Sequence, residues 1–157
     1  MRKPKVLQGY VDVDYARDLD QRRSTMGYVF TVAECTVSWK AELQDTVALS
    51  TYMATIETSK EYLWLRGLVE IFDIIQDSVQ FYCDSQSAIH LTKDHIYHKW
   101  TKRIDVRYHK IRQWVVDDMA INLVKISTKK NLVDMMTKTI PTEKFRASLN
   151  FIQILQR

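Results

Sequence analysis

The chain has 157 residues, of which 46% are hydrophobic, 11% aromatic and 27% charged, with a formal net charge of +4 and a pI near 9.0. That length suits one domain around one core, the apolar content excludes a disordered chain, and no apolar run approaches the roughly 20 residues of a membrane span. The basic excess suits a polyanionic partner without requiring one.

The opening MRKPKVLQGY is basic and runs straight into a strand-like segment. It has neither an apolar signal core nor a small-residue cleavage site, so an intracellular, cytoplasmic or nuclear protein is expected. Residues 5–14 and 27–40 read as strands. In the second range Tyr28, Val29, Phe30 and Val32 precede a turn and then Val37, Ser38 and Trp39, a hairpin-like pattern rich in β-formers. Over 47–75 the pattern turns helical, with Tyr62, Leu65, Val69 and Phe72 at helical spacing, and then Val79, Phe81 and Cys83 alternate as a strand. A short helical stretch follows to about 93, then a helix in which Ile104, Tyr108, Ile111 and Val115 recur on one face. Residues 121–126 read as a last strand, and 131–138 and 142–155 as helices, the final one starting after Pro141.

The resulting order, βββαβααβαα, predicts an α/β fold with a mixed sheet flanked by helices, because each half-apolar element must bury one side. Three glycines, two prolines and no repeat or Ser/Gly linker leave one domain over 1–157, with a core over about 5–139 and a C-terminal helix over 141–157. Trp39, Trp64, Phe72, Phe81, Ile111 and Trp114 are expected in that core. Cys35 and Cys83 lack CxxC spacing and read as reduced thiols, with no zinc site implied.

Two apolar strands run directly into acids, Asp12 and Asp84, and Asp134 opens a late helix. Carboxyl ends of parallel strands are where sites form, and aspartates converging there suit Mg²⁺, which prefers oxygen ligands. Phosphodiester hydrolysis is the chemistry such a centre supports. The local alternative is a turn residue, a helix cap and a surface acid; Asp84 before Ser85, Gln86 and Ser87 is a competent N-cap.

The chain resembles the ribonuclease H domain at the end of copia-type retrotransposon polyproteins. The resemblance rests on GYVDVDYARDLDQRRSTMGYVF, VSWKAELQDTVALST, EYLWLRGL, YCDSQSAIHL, YHKWTKRIDVRYHKIR and NLVDMMTK, in the family's order and near its spacing. It implies a ribonuclease H-like fold with a five-stranded sheet, hydrolysis of RNA in RNA–DNA hybrids, and two Mg²⁺ ions, with Mn²⁺ as a substitute. It implies catalytic and metal-binding roles for Asp12, Asp84 and Asp134. It also implies a parent polyprotein carrying reverse transcriptase and integrase; apart from the resemblance, a monomer with no membrane partner is expected.

The family's fourth carboxylate is missing. Where the pattern continues after ALST with Thr-Glu-Ala-Glu and then Tyr, here Thr51 is followed directly by Tyr52. Glu57 lies about 240° around the helix and about 9 Å along it from the missing position, out of reach of the metals. Four residues are about 1.1 helical turns, so the apolar stripe moves by only about 40° and the core tolerates the loss. The site does not, because ligand number and geometry set a two-metal centre, and activity lower by orders of magnitude is expected. Further departures fall in turns. Arg17 and the Ala33, Glu34, Cys35 turn stand where the family has glycines, and positive φ is often needed at such a turn; His95 and Thr139 stand where it has prolines. Ser127, Thr128, Lys129 and Lys130 fill the stretch before Asp134, so no catalytic histidine is assigned.

Lys99, Lys102, Arg103, Arg107, Lys110 and Arg112 face one acid, Asp105, with Tyr97, His98, Trp100 and His109 interleaved. Such a segment suits phosphate contacts, and a solvated helix face is its plain alternative. Under the resemblance it becomes the hybrid-binding surface, with backbone contacts from Arg22 and Arg23 and sugar contacts from Ser85 and Gln86. His98 and His109 read as polar partners rather than metal ligands. The expected function is an impaired ribonuclease H domain; the alternative is a non-catalytic nucleic-acid-binding remnant.

Overall fold

The computed structural model describes residues 7–14, 24–44, 50–74, 76–86, 89–90, 113 and 120–151. Within them β1 (Leu7–Asp14), β2 (Ser24–Val32), β3 (Cys35–Gln44), β4 (Val79–Cys83) and β5 (Ile121–Lys125) form one sheet in the order β3-β2-β1-β4-β5. The first three strands are an antiparallel meander, and β4 and β5 add parallel to β1, so the sheet is mixed as the strand pattern predicts. Among the described residues the helices with defined bounds are α1 (Ser50–Glu70), α2 (Asp134–Thr137) and α3 (Thr142–Phe151), with a 3-10 turn at Thr128–Lys130.

Side chains alternate across a strand, and that alternation divides the core in two. Toward α1 point Leu7, Val11 and Val13 of β1, Met26, Tyr28 and Phe30 of β2, and Val79, Phe81 and Cys83 of β4, packed with Ala54, Tyr62 and Leu65 of the helix. Phe81 is the hub, with its ring edge-to-face against Phe30 at 5.7 Å and Tyr62 at 5.9 Å. On the opposite face Tyr10 and Val29 pack with Leu132 and Val133, joined by Met135, Met136 and Leu149. The helix α1 hides Thr58 and Ser59 on its buried side, where each hydroxyl donates to the carbonyl four residues earlier, Ala54 and Thr55. Buried Gln76 ties the start of β1 to the segment leading into β4: its amide donates to the Leu7 and Ser78 carbonyls and accepts from the Leu7 N–H.

Three core expectations are corrected. Phe72 is 69% exposed because α1 stops at Glu70. There the N–H groups of Ile71, Phe72 and Asp73 bond three residues back, to Leu68, Val69 and Glu70, and that of Ile74 returns to Val69 past Asp73 at φ 57°, so the tightened last turn takes Phe72 out of the α-helical spacing of the stripe. Trp64, 62% exposed, sits two residues and hence about 200° around α1 from buried Tyr62. Trp39, 58% exposed, lies on β3, an outer strand of the sheet. Phe81 is buried as expected. Of the predicted helix over 104–115 all but residue 113, Ile111 and Trp114 included, falls outside the described residues.

The β2–β3 turn carries positive φ at Ala33 (52°) and Glu34 (69°), between paired Val32 and Cys35. That is the backbone of a primed two-residue hairpin, built without the Asn or Gly it favours. Neither cysteine is in a disulfide; Cys83 is buried, and burial pushes its thiol up to about 11.

Candidate metal centre

The parallel register sets Val11 opposite Cys83, so the next residue of each segment is an aspartate, Asp12 on β1 and Asp84 just past β4. Adjacent parallel strands thereby deliver both acids to the same carboxyl end of the sheet. Asp134 comes from the other side of the chain and is held there by Asn131. The buried Asn131 amide donates to the Val11 carbonyl at 3.2 Å, and its oxygen accepts from the Val133 N–H at 3.3 Å, pinning the start of α2 beside Asp12. Gly27, paired with Asp12 across the β1–β2 ladder, makes that approach possible. A Cβ there would stand 2.7 Å from Val133 Cγ1 and 3.0 Å from Thr137 Cγ2.

One carboxylate oxygen from each of Asp12, Asp84 and Asp134 lies within 4.8 Å of the others. Asp12 and Asp134 are each 1% exposed, and Asp84 is half-buried. Uncompensated, three such charges would repel strongly. Lysines supply the compensation. Lys138 Nζ is 3.0 Å from Asp12 Oδ2, 3.1 Å from Asp134 Oδ1 and 3.9 Å from Asp84 Oδ2. Lys144 Nζ donates to Asp134 Oδ2 at 2.5 Å and to the Thr128 carbonyl at 3.0 Å. The Thr137 hydroxyl donates to Asp12 Oδ2. Burial raises the Asp12 carboxyl above the usual range, against the pull of Thr137 and Lys138. For Lys138 burial works against the ammonium, but Asp12 and Asp134 outweigh it and its pKa is raised.

The donor set is all oxygen, which suits a hard divalent cation such as Mg²⁺ or Mn²⁺ over zinc or copper. Three carboxylates are enough to hold one such ion together with waters; a pair of ions calls for more carboxylate charge. Among the described residues no acid of α1 joins the trio. Glu57 pairs with Lys60 at 2.6 Å, and Glu61 accepts from the Ser38 hydroxyl at 2.6 Å.

Ser85 is half-buried and Gln86 exposed beside Asp84, with Gln86 Nε2 3.0 Å from His90 Nε2. Arg22, Arg23, Lys99, Lys102, Arg103, Arg107 and Lys110 lie outside the described residues. Sequence reasoning missed Asn131, Thr137, Lys138 and Lys144. Lys138 carried a signal, since it follows Asp134 by one helical turn, the spacing of an ion pair. For the other three only the tertiary fold shows what they touch.

No family model matches the chain. Over 144 residues, 89% of its length, the chain is 48% identical to the retrovirus-related Pol polyprotein from transposon TNT 1-94 of Nicotiana tabacum, and it spans 11% of that polyprotein. Among solved structures, the N-terminal RNase H domain of a Mycobacterium tuberculosis protein superposes with a TM-score of 0.58 at 11% identity, covering 92% of this chain and 97% of that one. LC11-RNase H1, solved in complex with an RNA/DNA hybrid, superposes with a TM-score of 0.56 at 15% identity, covering 80% and 88%. At such identities these two likenesses show the fold.

Proposed function

From its place among the ribonuclease H domains of transposon Pol polyproteins, to which this chain belongs, we propose that it binds RNA–DNA hybrids and hydrolyses their RNA strand weakly, through a metal centre short of one carboxylate. The observation that carries this reading is the convergence of Asp12, Asp84 and Asp134, from the adjacent ends of two parallel strands and the start of α2, on one point at the carboxyl end of those strands. In this reading those aspartates hold the ion, and Asn131 and Gly27 position them by letting α2 lie against β1 and β2. A bound divalent ion would supply an activated water and neutralise charge on the leaving oxygen. The copia-type relationship, Mg²⁺ as the natural ion, Mn²⁺ as its substitute, and a parent polyprotein with reverse transcriptase and integrase modules belong to the same proposal. So does an intracellular site of action; no helix among the described residues is long and apolar enough to cross a membrane.

The weakness follows from the helix. Direct passage from Thr51 to Tyr52 leaves α1 without the family's glutamate, and the acids it retains, Glu57, Glu61 and Glu70, are engaged elsewhere, with Lys60, Ser38 and Arg66. A second reading, hybrid binding without cleavage, is favoured by the two lysines that already neutralise most of the carboxylate charge. In this case the segment from Lys99 to Lys110, together with Arg22, Arg23, Ser85 and Gln86, serves binding alone.

The test is cleavage and binding of an end-labelled RNA–DNA hybrid in Mg²⁺ and in Mn²⁺, by the chain and by Asp84→Asn. The expected result is binding by both proteins and slow, metal-dependent cleavage by the unmodified chain only. Binding without any cleavage selects the second reading. Equal cleavage by Asp84→Asn would remove the aspartate trio from the chemistry.

A further inference from the structure

We propose that Lys138 is a resident counter-cation of the aspartate trio, filling the space a divalent ion would need, so that metal binds this chain only when the ammonium leaves. The inference rests on the reading of Asp12, Asp84 and Asp134 as the metal ligands.

The geometry is specific to this lysine. Its Nζ lies 3.0 to 3.9 Å from an oxygen of each of the three carboxylates. An ion bound by oxygens within 4.8 Å of one another must sit in that same small volume. Two cations cannot share it, because their repulsion in a half-dry pocket is far larger than in water. Lys144 differs. It meets the trio through Asp134 only and is also held by the Thr128 carbonyl, so it braces α3 against Asp134 from the rim.

Lys138 also has a way out. The helix α2 ends at Thr137, Lys138 adopts extended backbone at φ −130° and ψ 153°, and its side chain is 26% exposed. The long flexible stem can carry the ammonium to solvent without moving the backbone that positions Asp134. With a fourth carboxylate present, the pull on a divalent ion would rise with the added charge. In this chain the lysine competes against three, and the balance tilts toward the ammonium.

The experiment measures Mn²⁺ binding, by the loss of the free-ion electron paramagnetic resonance signal, on the full chain and on Lys138→Met, Lys138→Gln, Lys138→Arg and Lys144→Met. Lys138→Gln is the milder change, since its amide can still donate to Asp12 and Asp134. The expectation is that Lys138→Met or Lys138→Gln binds Mn²⁺ roughly 10- to 100-fold tighter than the unmodified chain, with Lys138→Arg no tighter and Lys144→Met changed less. Melting temperatures of the same samples should rise with Mn²⁺ more in the tighter-binding variant than in the parent. If the chain binds Mn²⁺ and neither neutral substitution binds it tighter, Lys138 is no competitor and the inference fails while the metal site stands. If no protein binds Mn²⁺, including one carrying Thr-Glu-Ala-Glu after Thr51, the metal-site reading fails and takes the inference with it.

Discussion

The two faces of the sheet do different work. Against α1 the contacts are almost wholly apolar, with Phe30, Tyr62 and Phe81 interlocked at the centre. Against α2 and α3 a small apolar patch at Tyr10, Val29, Leu132 and Val133 gives way to buried charge at Asp12 and Asp134. Burial of apolar rings stabilises a fold directly, whereas burial of carboxylates costs free energy unless lysines and hydroxyls answer them. The first face therefore carries the fold and the second carries the proposed metal site, and damage to one need not reach the other.

Substitutions should separate them. Phe81→Ala, at the hub of the α1 face, should destabilise by about 3–5 kcal/mol in urea denaturation. A cost below about 1 kcal/mol would mean that the ring cluster is not the keystone. Gly27→Ala should cost less, about 1–3 kcal/mol, because the new methyl meets Val133 and Thr137 and pushes α2 outward. Its distinguishing effect is weaker Mn²⁺ binding, through displacement of Asp134, which Phe81→Ala at temperatures where it stays folded should not show.

Alkali offers a third separation. Burial pushes Tyr10 and Tyr28 up to about 12, one on each face. Both phenols hold their protons more tightly folded than unfolded. Their contribution is thus complete below about pH 10, the ordinary tyrosine value, and is lost as pH climbs toward 12. Tyr10→Phe and Tyr28→Phe should each flatten that fall in a pH series of denaturation midpoints, and an unchanged slope would exclude the tyrosine as its cause. Smallest of all, Ala33→Asn with Glu34→Gly should raise stability by roughly 0.5–1 kcal/mol by giving the turn residues suited to positive φ.

How far the sequence discloses this molecule depends on how local the cause is. Strands β1 to β5 are legible because β-branched and aromatic residues cluster and alternate in them, and Asp12 and Asp84 because an apolar run breaks on each. The end of α1 is not, since Phe72 fits the helical stripe and only the tightened last turn takes it away. Lys138 reads locally as no more than the i,i+4 ion-pair partner of Asp134. Its meaning comes from three carboxylates contributed by β1, the end of β4 and α2, which pairing and packing bring together from positions 12, 84 and 134. Asn131 and Gly27 matter for the same reason: each serves an approach between segments far apart in the chain.

If the α1 face holds the fold while the site lacks one carboxylate, restoring Thr-Glu-Ala-Glu after Thr51 should repair chemistry without rebuilding structure. Hybrid cleavage in Mg²⁺ by that insertion variant, beside the unmodified chain and with both shown folded by circular dichroism, is the decisive comparison. A gain of about 100-fold or more, abolished by adding Asp84→Asn, is the predicted result. A folded insertion variant that cuts no faster than its parent would contradict it.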